Sequence, residues 1–436
     1  MQISDELIAS YVKVVCQQIR FKKAHTGIKE ELTNHIIDSR DSYIAQGLDE
    51  EAATQLAIID TGDAVFIGTE FDRIHRPNSQ FGMLFITLAL LLTGTVLQAF
   101  LSHIFTYNTI PPYSYLYSLF GILVMVIAYF FDFSLLGKYP KLTYFTIMSI
   151  AIISFYVSPT LNGRVMHVTF LTLLFPLAFA VSLFSMKGRG YKGLLFCLLS
   201  YILPVVITVT IPSTLSMLLS LISNTTLLLV AARKNWFGIK HKKGYLLIFS
   251  PWALLFSVFL YYIARFPYIR YRFLLIFTPE EKDYFGPLIR NALAQVQIFG
   301  SAMPVSEIDI AFPYGNDFFL IRLLLYIGWF IPFVILCILF LFIIKGFLLC
   351  LEQKNMLGKF ISLSILITFT IQSISYIGVN LGIFTFLFAP LTLPLLSYGN
   401  LANIINLGLI GIMLSVFRTG HMLSNAPKMH GNILIS

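Results

Sequence analysis

Charge is what this 436-residue sequence has least of: 12% of its residues are Asp, Glu, Lys or Arg, against about 25% in soluble globular chains. With 57% hydrophobic residues and a mean hydropathy of +0.80, that scarcity excludes a soluble globular protein. Cysteine is also sparse. Cys16, Cys197, Cys337 and Cys350 stand in no metal-ligand spacing, so neither a disulfide framework nor a zinc site is expected. A G-x-x-x-x-G-K-[ST] loop is missing, so a transport reading would need a partner or an ion gradient as its energy source. The opening run MQISDELIASYV lacks a cationic stretch followed by an apolar one, and no cleaved signal peptide is expected.

The charges that are present divide the chain in two. Residues 1–80 hold thirteen of the 21 acids and eight of the 30 Lys/Arg, net −5, whereas residues 81–436 hold eight acids and 22 cations, net +14. The basic excess lies between hydrophobic runs, with no free cationic face interleaved with aromatics. It reads as membrane-loop chemistry and excludes nucleic acid as a partner.

Within the acidic head, Leu7, Tyr11, Val14, Val15 and Gln18 form one stripe at helical spacing, and Ile28, Leu32, Ile36, Ile37 and Tyr43 form a second that Gly47 stops. A third helix is expected after Asp49, ending at Thr61-Gly62, and a fourth capped by Asp63. The order of these pieces, with Gly47-Leu48-Asp49-Glu50-Glu51-Ala52 and Gly62-Asp63 followed by Ile67-Gly68, resembles the bacterial permease-prefix helical domain. That resemblance implies a cytoplasmic, non-catalytic module over residues 1–78.

Apolar runs long enough to cross about 30 Å occur near 81–103, 113–135, 142–158, 166–186, 193–210, 212–231, 244–264, 319–344, 360–381 and 401–417. The expected fold is therefore all-α: a polytopic membrane domain of about ten transmembrane helices over 79–425, the small N-terminal helical domain, and a tail at 426–436. Placing the Lys/Arg-rich connections inside, above all Arg233-Lys234-Asn235-Trp236-Phe237-Gly238-Ile239-Lys240-His241-Lys242-Lys243, puts both termini in the cytoplasm.

One connection, 265–317, is long and lies outside in that orientation. It carries six of the eight acids beyond residue 80, Glu280, Glu281, Asp283, Glu307, Asp309 and Asp317, together with Arg265, Arg270, Arg272, Lys282 and Arg290. From Pro287 to Gly300, Leu288, Ile289, Ala292, Leu293, Val296 and Phe299 share one helical face, which predicts a helix along the interface. Arg270 and Arg272 suit an anionic lipid head group, since guanidinium pairs with phosphate oxygens; interfacial anchoring beside tyrosines is the plainer alternative. Asp317, where the loop enters the eighth span, could act as a general base, hold a cation or cap that helix. Arg322 is expected to snorkel to the surface, and Gln372, Asn380, Asn403 and Asn406 to bond between helices. Pro390, Pro394, Ser397, Tyr398, Gly399 and Asn400 predict a re-entrant or interfacial turn before the last span.

Several of these features together resemble the FtsW/RodA/SpoVE family over residues 265–418. They are Arg270-Tyr271-Arg272 with Pro279, Asp283 and Gly286; Pro313, Asn316-Asp317-Phe318 and Gly328; Ile377-Gly378-Val379, Gly382, Leu393-Pro394, Ser397-Tyr398-Gly399 and Arg418. The resemblance implies a multi-pass protein of the bacterial plasma membrane that polymerises the polyprenyl-linked disaccharide-peptide precursor of peptidoglycan. A penicillin-binding transpeptidase and membrane lipids are the other implied partners. It implies Asp317 as the catalytic residue and Arg270, Arg272, Asp283, Asn316, Ser397 and Tyr398 as substrate-binding residues. No cofactor is required, although a divalent cation could share the charge of the pyrophosphate. The chain departs from the pattern at Leu324-Leu325-Tyr326, where the family has Gly-Glu-Glu, and at Thr385-Phe386-Leu387, where it has Pro-Thr-Lys. Those departures keep open a non-catalytic member that binds or translocates polyprenyl-linked lipid or scaffolds a transpeptidase.

Overall fold

In the computed structural model, residues 2–22, 25–74, 80–105, 114–161, 164–211, 213–239, 241–265, 267, 270, 285–312, 317–383, 392–396 and 400–420 are described. They fall into two compact units, one built on Met1–Ser79 and one on Gln80–Gly420.

The first unit is four short helices: α1 (Gln2–Gln18), α2 (His25–Ala45), α3 (Glu50–Thr61) and α4 (Ala64–Ile74). Asp63 caps α4 as expected, its Oδ1 accepting from the Val65 and Phe66 N–H groups at 3.0 and 2.8 Å. Asp49 takes the N-cap position of α3 without a side-chain cap bond. Ile28, Leu32 and Ile36 are buried as their spacing requires. On α1 the buried face is rotated from the expected one: Ile8, Tyr11, Val12, Val15 and Cys16 point inward, followed by Ile19 just past the helix, while Val14 is exposed. Both stripes have helical spacing, and packing against α2 and α3 selects between them.

The second unit runs α5 (Phe81–Ile104), α6 (Ser114–Phe130), a single-turn α7 (Ser134–Lys138) and α8 (Pro140–Val157), then a two-residue hairpin, Thr160–Leu161 with Arg164–Val165. It continues as α9 (Met166–Leu171), a 3-10 turn, α10 (Phe175–Phe184), α11 (Gly190–Thr210), α12 (Thr214–Arg233) and α13 (His241–Arg265). After the long connection come α14 (Phe285–Leu293), α15 (Val305–Ala311), α16 (Phe319–Ile327), α17 (Phe330–Glu352), α18 (Met356–Asn380) and α19 (Asn400–Thr419). Among the described residues, eight segments are long and apolar enough to cross a membrane: α5, α8, α9 through α10, α11, α12, α17, α18 and α19. The two further runs expected as spans are helical too, as α6 and α13. The chain is a multi-pass membrane protein whose regular structure, among the described residues, is helical apart from that hairpin.

Burial sorts these spans into layers. About 72% of the apolar stretch is buried in α9–α10, α18 and α19 and 67% in α12, but only 17% in α8 and 28% in α17. The interior helices carry the polar residues, including Asn224, Thr368, Gln372, Ser373 and Asn406, all fully buried or nearly so. In a bilayer the outside of the bundle is as apolar as its inside, so helices with hydroxyl and amide groups gain most by facing each other. The α6 and α19 backbones approach so closely that a Cβ on Gly411 would sit 2.4 Å from the Met125 carbonyl oxygen.

The eighth span differs from its expected range of 319–344. The chain makes a nine-residue helix, α16, breaks at Gly328, and only then forms the membrane-length α17. Gly328 has φ +94°, and a Cβ there would lie 2.6 Å from the Ile298 carbonyl oxygen. A strap of the preceding loop occupies that space. Gly300 and Ala302 N–H donate to the Ile327 and Leu325 carbonyls at 3.0 and 2.8 Å, and Trp329 and Phe330 N–H to those of Gln297 and Ile298, both at 3.1 Å. Sequence hydropathy fuses the two helices because both are apolar; the break depends on what Gly328 packs against.

Candidate functional site at the start of the short buried helix

Residues 319–325 of α16 are all buried, so the helix is held on every side. A buried helix start exposes backbone N–H groups that need partners. The N-cap position of this helix falls on Phe318, which makes no side-chain cap bond. The partners come from the last turn of α18. The Asn380 Oδ1 accepts from the Ile321 N–H at 3.1 Å, and the Tyr376 hydroxyl lies within hydrogen-bonding range of the Phe319 and Leu320 N–H groups. Asn380 also donates its Nδ2 to the Asp317 carbonyl oxygen at 3.0 Å and to the Tyr376 carbonyl at 3.1 Å. One amide side chain thus ties the backbone of Asp317 to the helix it precedes.

The Asp317 side chain is half-buried, and its charge acts on the Tyr376 hydroxyl. Its neighbour Phe318 is fixed between rings, stacked on Phe285 and edge-on to Phe312, each 5.4 Å away. A helix stands where one was expected but is shorter: α14 ends at Leu293, buries Gly286, Ile289 and Ala292, and leaves Phe299 exposed beyond it. Arg290 of α14 donates through Nη1 to the Gly382 carbonyl at 3.0 Å, tying this helix to the end of α18.

Arg322 departs furthest from its expected place. It does not snorkel: the side chain is fully buried, pairs through Nη2 with Asp309 of α15, and lies 4.7 Å from the centre of the Phe105 ring. On a helix sealed on all sides there is no path for the guanidinium to reach water, and Asp309 offers the compensating charge. Nothing in the local pattern marks a pairing across thirteen residues and a loop.

The turn before the last span is partly described. Residues 392–396 are non-helical and buried, Leu395 has φ +66°, Gln372 donates to the Thr392 carbonyl at 2.7 Å, and Gln98 of α5 donates to that of Leu396. Irregular backbone inside a membrane needs such protein cover. Gln372 therefore bonds from helix to irregular chain, while Asn380 bonds both between helices, to Ile321 of α16, and to the irregular chain at Asp317. Asn406 is buried with neither amide atom bonded among the described residues.

Of the residues expected to bind substrate, Arg270 is exposed, while Arg272, Asp283, Asn316, Ser397 and Tyr398 lie outside the described residues. Among the described residues, no three His, Cys, Asp or Glu side chains gather as metal ligands. The site offers one half-exposed carboxylate, able to accept a proton or hold a cation, at a backbone position fixed by a buried amide.

No protein-family model and no curated protein sequence matches the chain. Solved structures do. A chain from a peptidoglycan synthase complex, described for its coordination of polymerization and crosslinking, matches at a TM-score of 0.61 with 20% identity, covering 78% of this chain and 98% of that one. The rod shape determining protein RodA of Thermus thermophilus matches at 0.52 with 17% identity, covering 78% and 97%. An Asp-to-Ala mutant of the same protein matches at 0.54 with 18% identity. At that identity the likeness speaks to architecture, and by architecture this chain shares the helical membrane fold of RodA and of the peptidoglycan synthase.

Proposed function

We propose that the chain is a divergent member of the FtsW/RodA/SpoVE family that polymerises a polyprenyl-linked disaccharide-peptide precursor at the outer face of the bacterial plasma membrane, with both termini in the cytoplasm. The observation that carries this reading is Asp317: a half-exposed carboxylate on a backbone clamped by Asn380, in a fold shared with proteins of peptidoglycan synthesis. In the reaction the acceptor sugar hydroxyl gives its proton to the Asp317 carboxylate as its oxygen bonds to the anomeric carbon of the donor. The bond from that carbon to the polyprenyl pyrophosphate breaks, and the pyrophosphate leaves with the electron pair. Arg270 and Arg272 stabilise its growing charge, a task a divalent cation could share. A penicillin-binding transpeptidase is the fitting partner, since one structural neighbour belongs to a complex that polymerises and crosslinks.

Asp317→Asn keeps the size of the side chain and removes the base. Purified Asp317→Asn protein is expected to lose polymerisation of lipid-linked precursor by a factor of about 100 or more while keeping its thermal midpoint; full activity would end this assignment. A second reading has its own support, because Leu324 and Leu325, where the family resemblance expects Gly and Glu, are buried among apolar neighbours. A non-catalytic member would bind the precursor or copurify with a transpeptidase and yield no glycan chains.

A further inference from the structure

Between Asp132 and Glu280 the sequence contains no Asp or Glu at all, yet it contains fourteen Lys and Arg. The fold gathers part of this uncompensated charge in one place. The turn after α10 and the turn after α12 lie side by side, with the Gly188 N–H donating to the Trp236 carbonyl and the Gly190 N–H to that of Phe237, both at 2.9 Å. Gly188, Gly190 and Gly238 all have positive φ, so both turns use conformations that residues with a Cβ rarely adopt.

Trp236 anchors this platform. It is buried, its indole N–H donates to the Leu183 carbonyl at 3.3 Å, and its ring packs 5.5 Å from those of Phe184 and Phe360. The Lys187 ammonium lies 5.2 Å from the centre of that ring. Around it Lys187, Arg189, Lys192, Arg233 and Lys234 are exposed, and among the described residues none of the five makes a salt bridge. Lys359 differs, since its ammonium donates to the Leu351 carbonyl at 3.1 Å.

Charges of one sign crowded within about 10 Å repel unless an anion sits among them. The platform lies where α10, α11, α12 and α13 begin or end, which is the level of the lipid head groups for spans of this length. Anchored tryptophan and unpaired cations at that depth match a lipid phosphate. We propose that these two paired turns form a binding site for the head groups of anionic phospholipids, with Lys187, Arg189, Arg233 and Lys234 contacting the phosphate and Trp236 holding the turns in place.

The test uses the full-length protein in mixed micelles containing either phosphatidylglycerol or phosphatidylcholine, reading retained lipid by native mass spectrometry. The wild type is expected to retain phosphatidylglycerol at least tenfold over phosphatidylcholine, an advantage that shrinks as salt is raised. The variant Lys187→Gln, Arg189→Gln, Arg233→Gln, Lys234→Gln is expected to lose at least tenfold of that preference, while Lys354→Gln with Lys359→Gln keeps it. Inorganic phosphate at the same concentration is expected not to compete. Equal retention of the two lipids by the wild type, a preference insensitive to salt, displacement by free phosphate, or an unchanged preference in the fourfold variant would each overturn the proposal. The wild-type comparison and its salt series stand even if the fourfold variant does not fold.

Discussion

Replacing Asn380 by leucine keeps the branched outline of a fully buried side chain and removes both of its polar arms. The Ile321 N–H loses its acceptor, and the Asp317 carbonyl loses the donor that now stands 3.0 Å away. A buried backbone group stripped of its partner costs about 1–3 kcal/mol, so the two together cost about 2–6 kcal/mol. Much of that cost falls locally, on the first turn of α16, because the rest of the helix keeps its packing. Opening of that turn should become at least about 30-fold more frequent for 2 kcal/mol. Hydrogen exchange followed by mass spectrometry on a peptide spanning 317–328 reads this directly, with α17 and α18 peptides as internal controls. Asn380→Asp is the companion variant: it keeps the oxygen that accepts from Ile321 and loses the donor to Asp317, so exchange should rise less than in Asn380→Leu. If Asp317 is the base, turnover falls in both variants with little change in precursor affinity. Unchanged exchange at Ile321 in Asn380→Leu would refute the claim that this amide holds the site together.

Arg322→Met should destabilise the detergent-solubilised protein by about 3–5 kcal/mol by stranding a buried Asp309, and adding Asp309→Leu should recover most of it; thermal unfolding of the three forms checks both signs. Gly328→Ala should cost at least about 1 kcal/mol, because its φ of +94° is strained for alanine and the Ile298 carbonyl stands 2.6 Å from the new Cβ; a thermal midpoint equal to wild type would contradict the strap geometry. In the N-terminal unit, burial pushes the Tyr11 hydroxyl above its ordinary value near about 10, and the neighbouring Asp63 adds to the shift. Because the folded value is the higher one, this stabilisation is complete below about pH 10 and disappears as pH rises through the folded value. The tyrosinate absorbance difference between wild type and Tyr11→Phe should therefore titrate with a midpoint above 10, and a midpoint at or below it would count against the buried position.

Much of this protein was readable from the order of its residues alone. Twenty-residue apolar runs in a chain poor in charge mean membrane-spanning helices in any tertiary context, since lipid leaves the backbone no other hydrogen-bond partner than itself. The capping of α4 by Asp63 was equally legible, because that bond closes within three residues. Asp317 was singled out by its place between a polar loop and an apolar run. What the sequence could not show are relations between distant segments of equal hydropathy. Gly328 breaks one apolar run into two helices only because a strap from residues 297–302 lies against it. Arg322 stays buried only because Asp309 is brought to it by a separate helix. Asn380 is the interhelical amide its sequence position suggests, but which helix it meets, the start of α16, and its second bond to the Asp317 backbone are set by the fold. Local patterns decide which backbone bonds can form; which of two apolar faces, or which buried charge, finds a partner is decided by packing, and packing exists only once the whole chain has come together.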